Sequence, residues 1–429
     1  MTIDNRMTAM QTSDSQDGAV KRMLKDLEAI CDCGGRLCGT DSERAATALL
    51  KDLGREALGA PARAERVDYD GWRCLEAELT VGSGLARACH PLVRTAATAP
   101  EGLEAEVIDL GRGTPDEFAA HRTEIPGRIV LVRHELMFAP ATIHRRVKYH
   151  MALEAGAVGF LIAGPVAGSL VAGSSGRGEE SGIPALGIAP ETAALLAKTS
   201  RGHARARLRV RTEEAPATAE NLLFELPGET DEWVVLSAHI DGHPLAESAS
   251  DNASGLVVAL EVARQLRDTA KKYRRGLRLA FFNVEEWALT GSAKHVAALS
   301  ETERQAIALN VNLDSVVGGA RLTALTSGYA NLDPLLLGCS EKCGVPLGLY
   351  RPLQQNSDHA NFAKAGVPAF RLVAGFGDPR AANAGVLTVA DTRASVKPEE
   401  LETAARLTKA ITEAALQASA EDAKGWRQA

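Results

Sequence analysis

The chain predicts an α/β protein: a mostly parallel, mixed sheet with helices on both faces, plus a smaller inserted α/β domain rich in strand. Three observations predict it. From Asn221 onward, short apolar runs alternate with helix-length amphipathic stretches, the rhythm of a sheet covered on both sides. Between about Leu85 and Pro216 the chain has a turn–strand–helix rhythm of its own. Several of the later strands end in acid or imidazole, at His239 and Asp241, at Glu285 and Glu286, and at Asp314. Open α/β sheets hold ligands beyond those strand ends.

Taken in order, residues 1–17 are polar and read as a disordered N-terminus. Val20, Met23, Leu24, Leu27 and Ile30 recur at helical spacing. A Gly-rich turn follows, then a helix capped at Thr40 or Ser42. Residues 64–72 and 75–82 alternate like strands. These pieces assign 18–84 to the first part of the principal domain, 85–216 to the insert and 217–429 to the second part. Within the insert, 125–134 and the end of 147–164 read as strands, and the start of 147–164 as a helix stopped by Gly156. In the second part, 233–239, 277–286, 307–315, 321–327 and 368–375 read as strands. Residues 254–268, 288–299, 332–344, 358–366 and 397–418 read as helices.

Of the 429 residues 45% are hydrophobic and 4% aromatic, so a large core must rest on Ala, Leu and Val. The net charge of −7 argues against nucleic acid as a partner. Two short basic clusters, 144–148 and 271–275, read as solvated edges. His121, His134, His144 and His150 read as surface or core residues of the insert. The seven cysteines lack paired metal-ribbon spacing and read as free thiols. No apolar run reaches bilayer length and no secretory signal opens the chain. A cytoplasmic location away from membranes is expected.

His239 and Asp241 end one strand, Glu285 and Glu286 a second, and Asp314 a third, while Asp251 opens a helix. That crowd of acids would repel unless protonated or bridged by cations. One imidazole with several carboxylates suits a divalent ion, zinc or manganese. Asp241 is placed to orient the His239 imidazole. One glutamate of the 285–286 pair can stay free to take a proton from water.

The pieces "AHID", "SDNASG", "FFNVEEWALTGS", "NLDSV" and "SDHANFAKAGVPAF" resemble the M28 family of metallopeptidases, the zinc aminopeptidases. The middle segment resembles a protease-associated (PA) domain. The resemblance implies a phosphorylase/hydrolase-like sheet. It implies that His239 and Asp314 hold one metal, Asp251 bridges, Glu286 holds a second metal, Glu285 is the general base and Asp241 orients His239. Asp358 and His359 would contact substrate, or His359 would serve as a replacement metal contact. One piece departs from the family: its second metal-binding histidine falls on Leu387, within "VLTVADT". One ion is therefore favoured over two.

The expected function is metal-dependent hydrolysis of a C–N bond, aminopeptidase-like, on a short peptide or small molecule. Two alternatives stand beside it. One is a mononuclear amidase or hydrolytic deaminase of a small amine. The other is a non-catalytic, receptor-like homologue. Relatives often use the insert in dimer contacts, so a homo-oligomer is also an expectation.

Overall fold

The computed structural model describes residues 4–178, 180–200 and 204–428. In chain order the strands are β1 (Arg63–Val81), β2 (Leu85–Arg87), β3 (Cys89–Pro91), β4 (Leu103–Asp109), β5 (Ile129–Arg133), β6 (Gly159–Ala163) and β7 (Ala185–Ile188). They continue with β8 (Arg205–Leu226), β9 (Trp233–His239), β10 (Gly276–Phe282), β11 (Ile307–Leu313), β12 (Leu322–Leu325), β13 (Leu347–Tyr350) and β14 (Ala369–Ala374). All join one sheet, in the order β13-β12-β14-β11-β9-β10-β8-β4-β5-β6-β7-β3, with β1 on β8 and β2 on β1. In the principal half β10, β9, β11 and β14 run parallel. In the insert β4 to β7 run parallel.

The two halves share β8. Its first residues pair with β4 and its last with β10, both antiparallel. The expected boundary between 216 and 217 therefore falls inside one strand. Its partner β1 joins the two strands read from 64–72 and 75–82, with a bulge between Cys74 and Glu76. Along β8, Arg205, Arg207 and Arg209 face solvent while Ala206, Leu208 and Val210 are buried, the alternation of a sheet with one wet face.

Deeper in the principal half both faces are covered. Leu222, Phe224, Leu236 and Ala238 pack with Leu256 and Leu260 of the helix Ser254–Ala270 and with Leu407 and Ile411 of the helix Pro398–Gln417. Leu223, Val235, Ala280 and Phe282 point the other way, to Val296 and Phe362. Helix Asp41–Leu58 is capped by Thr40, whose Oγ1 accepts the Glu43 N–H, and ends at Gly59 in the left-handed region.

Two expectations are corrected. Residues 4–17, read as disordered, form the start of the helix Asp4–Asp32, and 1–3 lie outside the described residues. No proline breaks that stretch, so a helix formed by the apolar stripe beyond Gly18 propagates backward. The two basic clusters are solvated only in part, Lys271 and Lys272 being exposed. Arg275 is buried and donates to the carbonyls of Ala415, Ala418 and Ser419, at the end of the helix Pro398–Gln417. Arg145 and Lys148 are buried as well, Lys148 against Glu135. No disulfide forms among the seven cysteines. Among the described residues no helix is long and apolar enough to cross a membrane.

Candidate metal centre

β9 lies between β10 and β11. The chain moves from β9 to β10 on one side, then to β11 on the other, so strand order reverses at β9 and leaves a crevice there. Register aligns the chemistry. Phe282 of β10 pairs with His239, and Glu285 and Glu286 follow three and four residues later. Asn312 of β11 pairs with Ser237, which carries Asp314 to the level of His239.

His239 Nε2 lies 3.0 Å from Asp251 Oδ1 and 3.8 Å from Asp314 Oδ1. One ligand atom each from His239, Glu285 and Asp314 lies within 4.8 Å of the others. His239 Nδ1 donates to the backbone oxygen of Asp241 at 3.0 Å, which leaves Nε2 as the nitrogen facing the acids. Asp251 is held by its backbone. Asp391 Oδ1 accepts the Ser250 N–H at 2.6 Å and Oδ2 the Asp251 N–H at 3.2 Å.

Burial dominates the electrostatics. It pushes the Glu285 carboxyl well above its usual range despite the opposing pull of His239, and it raises Asp251 beside Asp314. For His239 burial opposes charge, but Glu285, Asp251 and Asp314 outweigh it and raise the imidazole. Burial would raise Asp314 too, yet Arg371, with Nη2 at 2.9 Å, brings it down.

Asp241 does a different job from the one expected. Its carboxylate is 3.9 Å from His239 Nδ1 and accepts instead the backbone N–H groups of Glu285 and Glu286, both at 3.0 Å, and the Cys38 thiol. The backbone carbonyl is nearer the imidazole, so the carboxylate is free to fix the turn that presents the glutamates. Asp358 and His359 are fully buried at the start of the helix His359–Lys364, and neither lines the cavity. Burial holds His359 down to about 3 and Asp358 up to about 7.

Leu387 lines the cavity with Asp251 and Glu286 and is 3% exposed. Its side chain belongs to the apolar cluster of the insert, with Val171 and Ala172. One divalent ion fits this centre: an imidazole nitrogen with its twin already engaged, among buried carboxylates that would otherwise repel. Beside Asp251 and Glu286, Leu387 offers only hydrocarbon, and the nearest imidazole on that side is His243.

Four residues near the acids escaped the sequence reading. His243 Nε2 is 2.5 Å from Glu286 Oε1, and its proximity lowers Glu286 against burial. Arg371 sits under Asp314. Arg145 and Arg146 come from the insert and line the same cavity. Only "HRRVK" was a signal, and a run of charge cannot show which members are buried. His144 also reaches that cavity and caps the helix Arg145–Glu154 by accepting the Arg146 N–H.

Residues 221–412 match the sequence model of peptidase family M28 and 88–196 that of the PA domain. Residues 221–412 are thus an M28 peptidase segment with a PA domain ahead of it, which makes the chain a metallo-hydrolase. Aminopeptidase YwaD of Bacillus subtilis is 28% identical over 357 residues, 81% of this chain and 73% of that protein. Probable leucine aminopeptidase 2 of Aspergillus fumigatus is 26% identical over 276 residues, 60% of this chain and 53% of the fungal one. The chain thus spans about half the length of that fungal relative. In fold it is similar to BSAP, a zinc aminopeptidase from Bacillus subtilis, with TM-score 0.74, 24% identity and coverage of 94% and 97% of the two chains. A peptidase M28 precursor from Shewanella amazonensis superposes with TM-score 0.76 at 19% identity, covering 95% and 97%.

Proposed function

We propose that this chain hydrolyses a C–N bond using one divalent ion held by His239, Asp251 and Asp314, with Glu285 as the general base. The observation that carries the reading is the convergence of His239, Glu285 and Asp314 within 4.8 Å at the sheet's switch point. When bound, the ion would lower the pKa of a water from 15.7 to about 7 and polarise a carbonyl oxygen. Glu285, raised by burial, takes the water's proton and passes it to the departing nitrogen. Asp241 holds the Glu285 and Glu286 backbone still, and Asp391 does the same for Asp251. Glu286 is kept ionised by His243. Zinc is the first candidate, because a neighbour in fold is described as a zinc aminopeptidase; manganese is the second.

The relatives' names favour a short peptide substrate with a free amino terminus. Leu387 favours a second reading, a small non-peptide amide or amine handled at one ion, since the family's second histidine is missing. The test screens aminoacyl p-nitroanilides, small amides and arylamines with zinc or manganese supplied, then repeats the best with Glu285→Gln. About one ion per chain is expected in both proteins, with turnover in the variant lower by about 10²–10⁴. Wild-type turnover by Glu285→Gln would remove the glutamate from the mechanism. Absence of bound metal and of any turnover would favour the non-catalytic reading.

A further inference from the structure

Two arginines of the insert stand on the wall opposite the acids without an acid of their own. Arg145 and Arg146 open the helix Arg145–Glu154 and line the cavity that also exposes Glu285, Glu286, Asp251 and Asp314. Arg145 is 6% exposed. Its Nε donates to the Ser174 carbonyl at 2.6 Å, and its Nη1 approaches the Met137 sulfur at 3.7 Å. Arg146 gives Nη2 to the Gln355 carbonyl at 2.8 Å and Nε to His144 Nδ1 at 3.4 Å. Among the described residues, no carboxylate lies within 4 Å of either guanidinium. Each guanidinium has five N–H donors, so several remain to serve the cavity.

The loop behind them is cut to fit. A Cβ on Gly173 would fall 2.2 Å from Arg145 Cζ, and one on Gly176 would fall 2.7 Å from Arg146 Cβ. Both glycines hold positive φ, 104° and 93°. Burial lowers Arg145 to about 10, so it stays charged at neutral pH. A buried cation without an ion pair is costly, and a ligand that supplies the anion recovers that cost.

The arginines also bear on the choice of substrate. A free ammonium would be drawn to the acids of the cavity and not to the two guanidinium groups. A planar carboxylate would receive paired N–H donors, the geometry for which arginine is suited. The inner chamber is small, about 50 Å³, and adjoins an outer one of about 790 Å³ that shares Met137, His144, Arg146 and Asn356.

We propose that Arg145 and Arg146 form a carboxylate subsite, so that the substrate carries a carboxylate close to the C–N bond that is cut. The proposal rests on the hydrolase reading above for the bond, but not for the binding. Calorimetry on the full-length, metal-loaded chain tests it with benzoate, benzamide and benzylamine as probes. Benzoate is expected to bind at least about tenfold more tightly than either neutral or cationic analogue. Arg145→Met and Arg146→Met should each weaken benzoate by about tenfold or more while metal content stays at the wild-type value. Arg146 is only half-buried, so its variant keeps the test open if Arg145→Met does not fold. Unchanged benzoate affinity in Arg146→Met, or tighter binding of benzylamine, overturns the subsite and leaves the arginines as counter-charges to the acids. Glu285→Gln separates the two readings. Full turnover in that variant sinks the general base, whereas its benzoate binding reports on the arginines alone.

Discussion

Leu387→His places an imidazole where the resemblance to M28 peptidases implies one. Leu387 is buried against the insert and borders Asp251 and Glu286. Removing a fully buried leucine side chain from its apolar contacts costs about 2 kcal/mol. The metal-free variant should therefore unfold about that much more readily in urea. An imidazole there adds a ligand to Asp251 and Glu286, giving three, the usual number at a catalytic zinc site, without calling on His243. Binding at a free-ion concentration 100 times its dissociation constant returns about 2.7 kcal/mol. The deficit should vanish as zinc is raised, and elemental analysis after dialysis should rise from about one ion per chain to about two. Two ions in the wild type would refute the reasoning, because some other residue would then have made good the loss. A variant that stays at one ion and never recovers stability would refute it too, since the site would lack more than an imidazole.

Two further outcomes follow from the geometry. Asp241→Asn keeps one acceptor oxygen but aims an amide donor at a backbone N–H and the Cys38 thiol. About 2–4 kcal/mol of stability should be lost, with a fall in kcat/KM at unchanged substrate; a change within about 0.5 kcal/mol in urea titration would mean that the carboxylate does not hold the turn. His359 has its pKa depressed to about 3 by burial, against 6.5 when unfolded. As pH falls below 6.5 the unfolded chain binds a proton that the fold excludes, so stability drops as pH falls toward 3. At pH 5.5 that loss is about 1.4 kcal/mol relative to pH 7.5, and His359→Asn should lack it. Equal acid sensitivity of the two proteins would place a charge on the buried ring.

The acids were legible because strand periodicity and strand ends are local properties. Reading 233–239, 277–286 and 307–315 as strands was enough to bring His239, Glu285 and Asp314 to one rim. Register then needed only the usual parallel pairing, which aligns Phe282 with His239. What failed to show was any contact made across the chain. Asp241 looks like an orienting partner for His239 when spacing alone is considered, but its carboxylate turns to the Glu285–Glu286 backbone 44 and 45 residues away. The "HRRVK" cluster reads as solvated because charge is usually on the surface. The glycines at 173 and 176 that make room for Arg145 and Arg146 lie almost 30 residues on, with no periodicity to link them. The shared strand β8 was hidden for the opposite reason: its first half buries one face and its last residues both, and a change of texture looks like a boundary.

That shared strand gives the insert a direct part in the chemistry. An insert on a flexible tether would reach the site in many orientations and could not hold two guanidinium groups opposite fixed carboxylates. Here β4 and β10 both pair along β8, so the helix Arg145–Glu154 is carried by the same sheet that carries His239. Leu387 closes the arrangement from the other side: its carbonyl accepts the Ala172 N–H at 2.7 Å, and its side chain packs among residues of the insert. Leu387 thus anchors the insert while bordering Asp251 and Glu286. A leucine that draws the Ala172 loop inward also seats Gly173 and Ser174 under Arg145. If so, Leu387→His should loosen the arginine wall as it gains an ion, and benzoate affinity should fall in that variant though neither arginine has been touched.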